Sequence, residues 1–106
     1  MARGDAGTVT VTTAGTAVRI TTSVPSTPIK VRASDVILAL EVTPRSGNTG
    51  ASMYIGNSGV SSSDGVQILK GVSKKINFEP GGDRFNTWYI DADSGGDKAD
   101  WVVLFV

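Results

Sequence analysis

Residues 36–42 read Val-Ile-Leu-Ala-Leu-Glu-Val, an almost unbroken apolar run that ends just before a proline. A run of this kind is typical of a strand buried on both faces, although it is also long enough for two helical turns. The β-branched side chains in the run and the Thr43-Pro44 pair behind it favour the strand, because β-branched residues lose rotamer freedom in a helix and proline interrupts one. We therefore predict a central strand that is buried on both faces.

The flanking sequence alternates apolar and polar residues, as strands with one solvent-exposed face do. In residues 8–12, Thr-Val-Thr-Val-Thr, both valines lie on one side. Residues 17–22 alternate in the same way and predict the second strand of a hairpin. The other predicted strands are residues 29–33, 51–56, 66–69, 73–79, 85–93 and 101–106. The fold class is therefore all-β, either an antiparallel β-sandwich or a jelly roll of about eight to nine short strands.

The composition favours the same class and excludes several kinds of chemistry. Val, Ile and Thr make up 31 of the 106 residues, whereas Leu, Met, Glu and Gln together make up only nine, a balance that suits strands and not helices. The chain has no Cys and no His. Their absence excludes disulfides, thiolate nucleophiles, imidazole bases and the usual zinc and copper ligands.

Length and charge indicate how the chain is organised. Its 106 residues predict a single domain over residues 1–106, of which residues 1–7 form a flexible N-terminal arm. Ten basic residues balance ten acidic ones, so the charge does not favour a nucleic-acid partner. No secretion signal or membrane-spanning stretch is visible, and we expect a protein made in a cytoplasm with no membrane partner.

Four acidic residues near the C-terminus invite a chemical interpretation. They are Asp91, Asp93, Asp97 and Asp100. The segment begins like a calcium loop, but Gly95 stands at the fifth position and Val102 stands where a bidentate Glu is needed. Acid pairs also serve glycosidases, yet no cleft is implied by the sequence. We predict a solvated acidic hairpin tip, with no metal, no cofactor and no enzymatic activity.

The last six residues, 101–106, are apolar without interruption. A terminal strand of this composition needs cover on both faces, from the rest of the domain or from another copy of the chain. We therefore predict an oligomer interface on this strand. Its residues are Trp101, Val103, Phe105 and Val106.

Aromatic residues provide an alternative kind of site. Trp88, Tyr89 and Tyr54 could stack against a sugar ring. Aromatic side chains on alternating strands more often fill a sandwich core or a subunit interface. The sugar-stacking surface is therefore the weaker of the two hypotheses.

Two segments resemble a known family. Residues 54–69, Tyr-Ile-Gly-Asn-Ser-Gly-Val-Ser-Ser-Ser-Asp-Gly-Val-Gln-Ile-Leu, resemble a strand, loop and strand found in small all-β virion proteins of tailed bacteriophages. Residues 88–93, Trp-Tyr-Ile-Asp-Ala-Asp, followed by Gly95-Gly96-Asp97 and an apolar C-terminal strand, look like the last hairpin of the same proteins.

This resemblance implies a structural protein that performs no chemistry. It implies a head decoration, or cement, protein that binds the assembled lattice of the major capsid protein, forms a homo-oligomer such as a trimer, and resides in the virion after synthesis in the host bacterial cytoplasm. The alternative is a tail or fibre component, or a carbohydrate-binding module that recognises a receptor. Neutral charge, polar turns and apolar strands are compatible with a protein that adheres to other proteins.

Overall fold

The computed structural model of this chain describes residues 3–23, 31–78 and 81–105, and antiparallel strands account for most of it. The strands are β1 (Arg3–Val11), β2 (Val18–Arg19), β3 (Val36–Pro44), β4 (Ser52–Gly56), β5 (Val66–Leu69), β6 (Lys74–Asn77), β7 (Asp83–Arg84), β8 (Tyr89–Ala92) and β9 (Asp97–Phe105). Two short 3-10 helices occupy Ile20–Ser23 and Phe85–Thr87. Neither approaches the length and apolar character of a membrane-spanning helix, and the described ranges contain no other helix.

The strands form two antiparallel sheets. In the first sheet the order is β1-β9-β3-β6, with β7 also pairing with β3. In the second sheet the order is β2-β8-β4-β5. The predicted all-β class and the antiparallel sandwich architecture are therefore confirmed.

The long strand β9 organises the first sheet. It lies between β1 and β3 and alternates buried and exposed residues along its whole length. Its inward residues are Ala99, Trp101, Val103 and Phe105, all 0% exposed. Because successive side chains of a strand point to opposite faces, one face of β9 supplies the core and the other lies outside the sandwich.

The core is packed most tightly around Trp101. Its ring meets Phe85 edge-on at 5.2 Å between centroids, and its Nε1 donates a hydrogen bond of 2.8 Å to Ser23 Oγ. The ring also covers Gly7, where a Cβ atom would lie 2.5 Å from Trp101 Cζ2. Only glycine fits beneath the indole, so the bulky core residue and the small strand residue require each other.

Strand β3 differs from its prediction. Ile37, Leu40 and Val42 are fully buried, but Leu38 and Glu41 are only half-buried. The register shifts between Ile37 and Ala39, which marks a β-bulge. The strand is central in the sheet as predicted, yet only its inner face is covered by the second sheet, so the prediction of burial on both faces is wrong.

The first predicted hairpin is also wrong. β1 pairs with β9 and β2 pairs with β8, so the two segments belong to different sheets. Residues 20–23 form a 3-10 helix, and residues 85–87 form another where a strand was expected. Residues 31–33 are not in a strand, and residues 29 and 30 lie outside the described part of the chain. The turn between β1 and β2 reverses the chain as predicted, but it connects strands of two different sheets.

The N-terminal segment is not a free arm over residues 3–7. Arg3 pairs with Phe105 and Gly7 pairs with Trp101, in register with β9. The carboxylate of Asp5 accepts a hydrogen bond of 3.1 Å from the backbone N–H of Val31. The predicted flexible arm is therefore a strand from residue 3 onward, in which Gly7 leaves room for the ring of Trp101. Residues 1 and 2 lie outside the described ranges.

Candidate interaction surfaces

The C-terminal strand presents different residues from those predicted for an interface. Trp101, Val103 and Phe105 are 0% exposed in the core, so they cannot contact a partner of the folded chain. Val106 lies outside the described residues. The exposed positions are Val102 at 45% and Leu104 at 39%. Residues 101–105 lie in a strand as expected, but the three described side chains named for the interface are on its buried face, because successive side chains of a strand point to opposite sides.

Val102 and Leu104 belong to what we call the sheet face, the outer surface of the first sheet formed by Ala39, Glu41, Lys75, Val102 and Leu104. Strand pairing sets Leu104 beside Ala39, and Val102 beside Glu41. Lys75 lies next to Glu41 on the other side. Together the five residues line a shallow depression of about 150 Å³. The sheet face therefore combines an apolar strip, a hollow and two charged side chains.

The two charges of the sheet face form no ion pair with each other or with another residue in the described ranges. Glu41 and Lys75 are register partners, but among the described residues the ion pair within 4 Å is Arg45 with Asp100. No hydrogen bond joins either side chain to another described residue. Both groups are available to a partner that brings the opposite charge.

A second apolar surface, the turn patch, consists of Leu69 and Val72. Leu69 ends β5 on the outer side of the second sheet and is 55% exposed, and Val72 in the next turn is 50% exposed. The backbone N–H of Val72 donates a hydrogen bond of 3.1 Å to the carbonyl of Leu69, which holds the two together. Because the turn patch and the sheet face belong to different sheets, one chain can contact two neighbours at once.

Polar residues beside the sheet face form a small network. Asp100 accepts hydrogen bonds from Thr8 Oγ1 at 2.8 Å and from Arg45 Nη2 at 3.1 Å. These hydrogen bonds, first that of Arg45 and then that of Thr8, lower the pKa of Asp100. About half of each ionic side chain is exposed to solvent, so the contribution to folding is modest.

Stability is expected to depend on this pair only in acid. Because the folded-state pKa of Asp100 is lowered, its contribution is complete above the unfolded-state pKa and is lost as the pH falls through the folded-state value. Replacing Asp100 by Asn should therefore lower the free energy of unfolding at pH 7 by less than about 1 kcal/mol, and the difference from wild type should shrink towards pH 2–3. Urea titrations at several pH values measure this difference. Asp64→Asn in an exposed loop is the control, and a difference for Asp100→Asn that grows in acid would contradict the assignment.

The predicted acidic hairpin tip is instead partly buried and structural. Asp97 is 3% exposed and accepts hydrogen bonds from the backbone N–H groups of Thr49 at 2.9 Å and Gly50 at 3.0 Å. Asp91 is 2% exposed and accepts one from Gly15 N at 3.0 Å. These carboxylates fasten loops to the strands, because a buried carboxylate requires donors of this kind. The described residues contain no group of three acidic side chains arranged to hold a metal ion.

Of the three aromatic residues proposed for sugar stacking, Tyr54 and Tyr89 lie on the same face of the adjacent strands β4 and β8, whereas Trp88 packs against the core. Tyr54 is 8% exposed and donates a hydrogen bond of 2.9 Å to Asp93 Oδ1. Burial is the larger cause that raises the pKa of Tyr54, and the hydrogen bond to Asp93 is the next. Trp88 packs on the ring of Phe78 at 5.1 Å between centroids. Tyr54 is thus buried and Trp88 is held at the edge of the core.

The Tyr89 ring is half-buried and is covered by a cation. The guanidinium of Arg19 lies 5.2 Å from the centroid of the Tyr89 ring, and Arg19 Nε donates a hydrogen bond of 3.0 Å to the phenol oxygen. A sugar would have to displace this cation–π contact. Tyr54 is buried and Arg19 lies over the Tyr89 ring, and sugar stacking on these residues stays a prediction.

A wide polar cleft lies at one end of the first sheet, with a volume of about 870 Å³. Its walls include Arg45, Asn48, Lys98 and Asp100. Asn48 Oδ1 accepts from the Lys98 backbone N–H and its Nδ2 donates to the Lys98 carbonyl, both at 2.9 Å. Within the described residues, no buried side-chain polar atom lacks a hydrogen-bond partner. The Asn48 side chain thus fastens its loop to β9.

Comparison with solved structures supports the fold. The chain is similar to a structure from the study "Bacillus endospore appendages form a novel family of disulfide-linked pili", with a TM-score of 0.53 and 15% identity over 98% of this chain and 85% of that one. It is also similar to the tobacco streak virus coat protein, with a TM-score of 0.51 and 13% identity over 99% of this chain and 85% of that one. At this level of identity the likeness defines the fold alone. No family model and no curated protein sequence matches the chain.

Proposed function

We propose that this chain is a structural virion protein of a tailed bacteriophage, a decoration protein that binds the assembled head and stabilises it. The observation that carries the proposal is the presence of two separate exposed apolar surfaces, the sheet face and the turn patch, on different sheets of one small sandwich. Large exposed apolar side chains gathered into patches mark sites of protein–protein contact. A subunit with two such sites can join neighbours into a lattice.

The strand order supports a capsid-type subunit. Each sheet has four main strands, and the orders β1-β9-β3-β6 and β2-β8-β4-β5 are those of a jelly roll in which the chain winds back and forth between the sheets. Jelly rolls are frequent in viral capsid proteins, although lectins and enzymes also use them. The two similar structures are a virus coat protein and a structure from a family of disulfide-linked pili, which supports a subunit of an assembly.

The polar residues support a role without catalysis. The buried carboxylates of Asp91 and Asp97 are held by backbone N–H groups, and the phenol of Tyr54 is held by Asp93. A general acid or a nucleophile needs a side chain free to reach a reacting atom. These groups already have structural partners, and we propose that the chain performs no reaction.

The major capsid protein lattice is the proposed partner, and the virion is the proposed location after synthesis in the host bacterial cytoplasm. A homo-oligomer would present several copies of the turn patch. Many weak contacts made at once can then hold the chain firmly on a shell. We assign shell binding to the turn patch, because Leu69 is the most exposed large hydrophobic side chain of the described residues.

Shell binding can be measured by co-sedimentation with heads that lack this chain, assembled from the major capsid protein encoded in the same genome. We expect wild-type chain to sediment with the heads and to reach saturation. Leu69→Asp or Val72→Asp should weaken binding by about tenfold or more, because each removes buried apolar area from the contact.

Ser62→Asp provides the matched control, since it adds the same charge at an exposed loop position away from the turn patch. It should bind like wild type. Failure of the wild-type chain to bind heads at any concentration, or its recovery in tails but never in heads, would refute the decoration role. If Leu69→Asp and Ser62→Asp bound heads equally well, the turn patch would not be the surface that contacts the shell.

A further inference from the structure

We propose that the sheet face binds a second copy of this chain, with Leu104 of each copy entering the depression above Ala39 of the other. The proposal extends the assembly role proposed above by naming the partner of this surface, and it rests on that role. The turn patch remains free to contact the shell.

The sheet face is complementary to itself. Leu104, 39% exposed, projects from β9, and Ala39 lies directly beside it on β3 at the bottom of the depression. Neighbouring strands are about 4.8 Å apart. Consider a two-fold axis parallel to the strands that lies midway between the two copies, above the gap between β3 and β9. This axis places each Leu104 opposite the other copy's Ala39. Such an isologous contact requires a projection and a hollow side by side on one surface, as found here.

The neighbouring strand leaves room for this approach. On β1, Gly4 is paired with Leu104 and Ala6 is paired with Val102. Neither has a side chain that rises above the apolar strip, so the partner sheet can approach to the distance usual for packed sheets, about 10 Å. A row of large polar side chains at this position would have kept the second copy away.

The charges of the sheet face also permit a contact between identical copies. Glu41 and Lys75 have opposite signs and no ion partner within the described residues. A face that carries one anion and one cation has no net charge to repel its own copy, and the whole chain is neutral as well. A nucleic acid or an acidic membrane surface would need a basic face, which this is not.

The size of the face predicts a weak contact. The outer surface of the whole first sheet covers at most roughly 20 by 30 Å, or about 600 Å² for each copy, and the sheet face is only part of it. This area is below the roughly 800 Å² per partner that is typical of stable complexes. We therefore expect a reversible dimer at high concentration, which becomes effective when many copies are held close together on a shell.

Sedimentation equilibrium of the purified chain tests the pairing. The wild-type chain should reach twice its mass of 11.0 kDa at high concentration. Leu104→Lys should weaken the dimer by about tenfold or more, because it places a cation in an apolar hollow. The matched control is Leu69→Lys, the same substitution at a more exposed leucine on the other sheet, which should leave the dimer unchanged.

Cross-linking tests which residues meet. The chain has no cysteine, so single thiols can be added without side reactions. A mixture of Ala39→Cys and Leu104→Cys chains, treated with a short bismaleimide, should give mainly the mixed dimer. A mixture of Ala39→Cys and Leu69→Cys chains should not. Circular dichroism of each variant establishes that it is folded before cross-linking.

The outcomes separate this inference from the proposed function. A wild-type chain that stays monomeric at millimolar concentration, a trimer in place of a dimer, or equal cross-linking in both mixtures would overturn the two-fold pairing. The decoration role would survive any of these results if the chain still bound heads. A Leu104→Lys chain that dimerises like wild type would likewise exclude the sheet face as the site of pairing.

Discussion

Trp101→Ala should lower the free energy of unfolding by about 3–5 kcal/mol, the range found when a buried aromatic residue is truncated in a core. Trp101 is fully buried, packs against Phe85 and donates a hydrogen bond to Ser23. Its loss would leave a cavity between β9 and the 3-10 helix at Phe85–Thr87, with Gly7 unable to fill the space. The total free energy of unfolding of a small domain is only about 5–15 kcal/mol, so this one substitution should remove a large part of it.

Urea unfolding followed by circular dichroism measures this effect. Val102→Ala is the matched control, since Val102 is the next residue on the same strand but points out of the sandwich. It should cost less than about 1 kcal/mol. Similar losses for the two variants would contradict the assignment of Trp101 to the core and Val102 to the surface.

The alternating pattern of the sequence predicted the fold class because it depends on local geometry. Residues 8–11, 36–42 and 66–69 are in strands as expected, since each has a buried face and bounding turn residues, whereas Thr12 lies just beyond the end of β1. The pairing of the strands was not predictable in the same way. Thr8 bonds to Asp100, ninety-two residues away, and no local signal indicates a partner at that distance.

The face of the last strand could have been predicted from residues further upstream. Residues 101–106 are all apolar, so they contain no alternation of their own. Lys98 and Asp100, however, are polar and exposed on the same strand. Because every second residue of a strand points to the same face, Val102 and Leu104 must point outward with them. Extending the pattern from the polar half of β9 gives the outward face correctly. The analysis of the last six residues alone assigned it to the wrong side.

The role of the aspartates could not be predicted from their spacing. Asp91 and Asp97 resemble solvated residues of a turn, but each is buried because a loop from another part of the chain folds over it. The donors come from Gly15 and Gly50, which are far away in sequence. Burial of these carboxylates is a property of the tertiary structure and has no signature in the hairpin itself.

Asp97→Ala should accordingly destabilise the fold by about 3 kcal/mol, because it leaves the buried N–H group of Gly50 and the partly buried N–H group of Thr49 without their charged acceptor. Asp97→Asn retains one acceptor oxygen and should cost about half as much. Asp100→Ala, which removes an exposed carboxylate three residues along the same strand, is the control and should cost less than about 1 kcal/mol.

The loop around Gly50 should respond locally as well as globally. This loop is fitted closely to the carboxylate, since a Cβ atom on Gly50 would lie 2.8 Å from Asp97 Oδ2. In Asp97→Ala, the amides of Thr49 and Gly50 should exchange hydrogen for deuterium faster than the amides of β9, because loss of the acceptor frees the loop before the sheet opens. If these amides remained as protected as in wild type, or if Asp97→Ala cost no more than Asp100→Ala, the carboxylate would not be what fastens this loop to the first sheet.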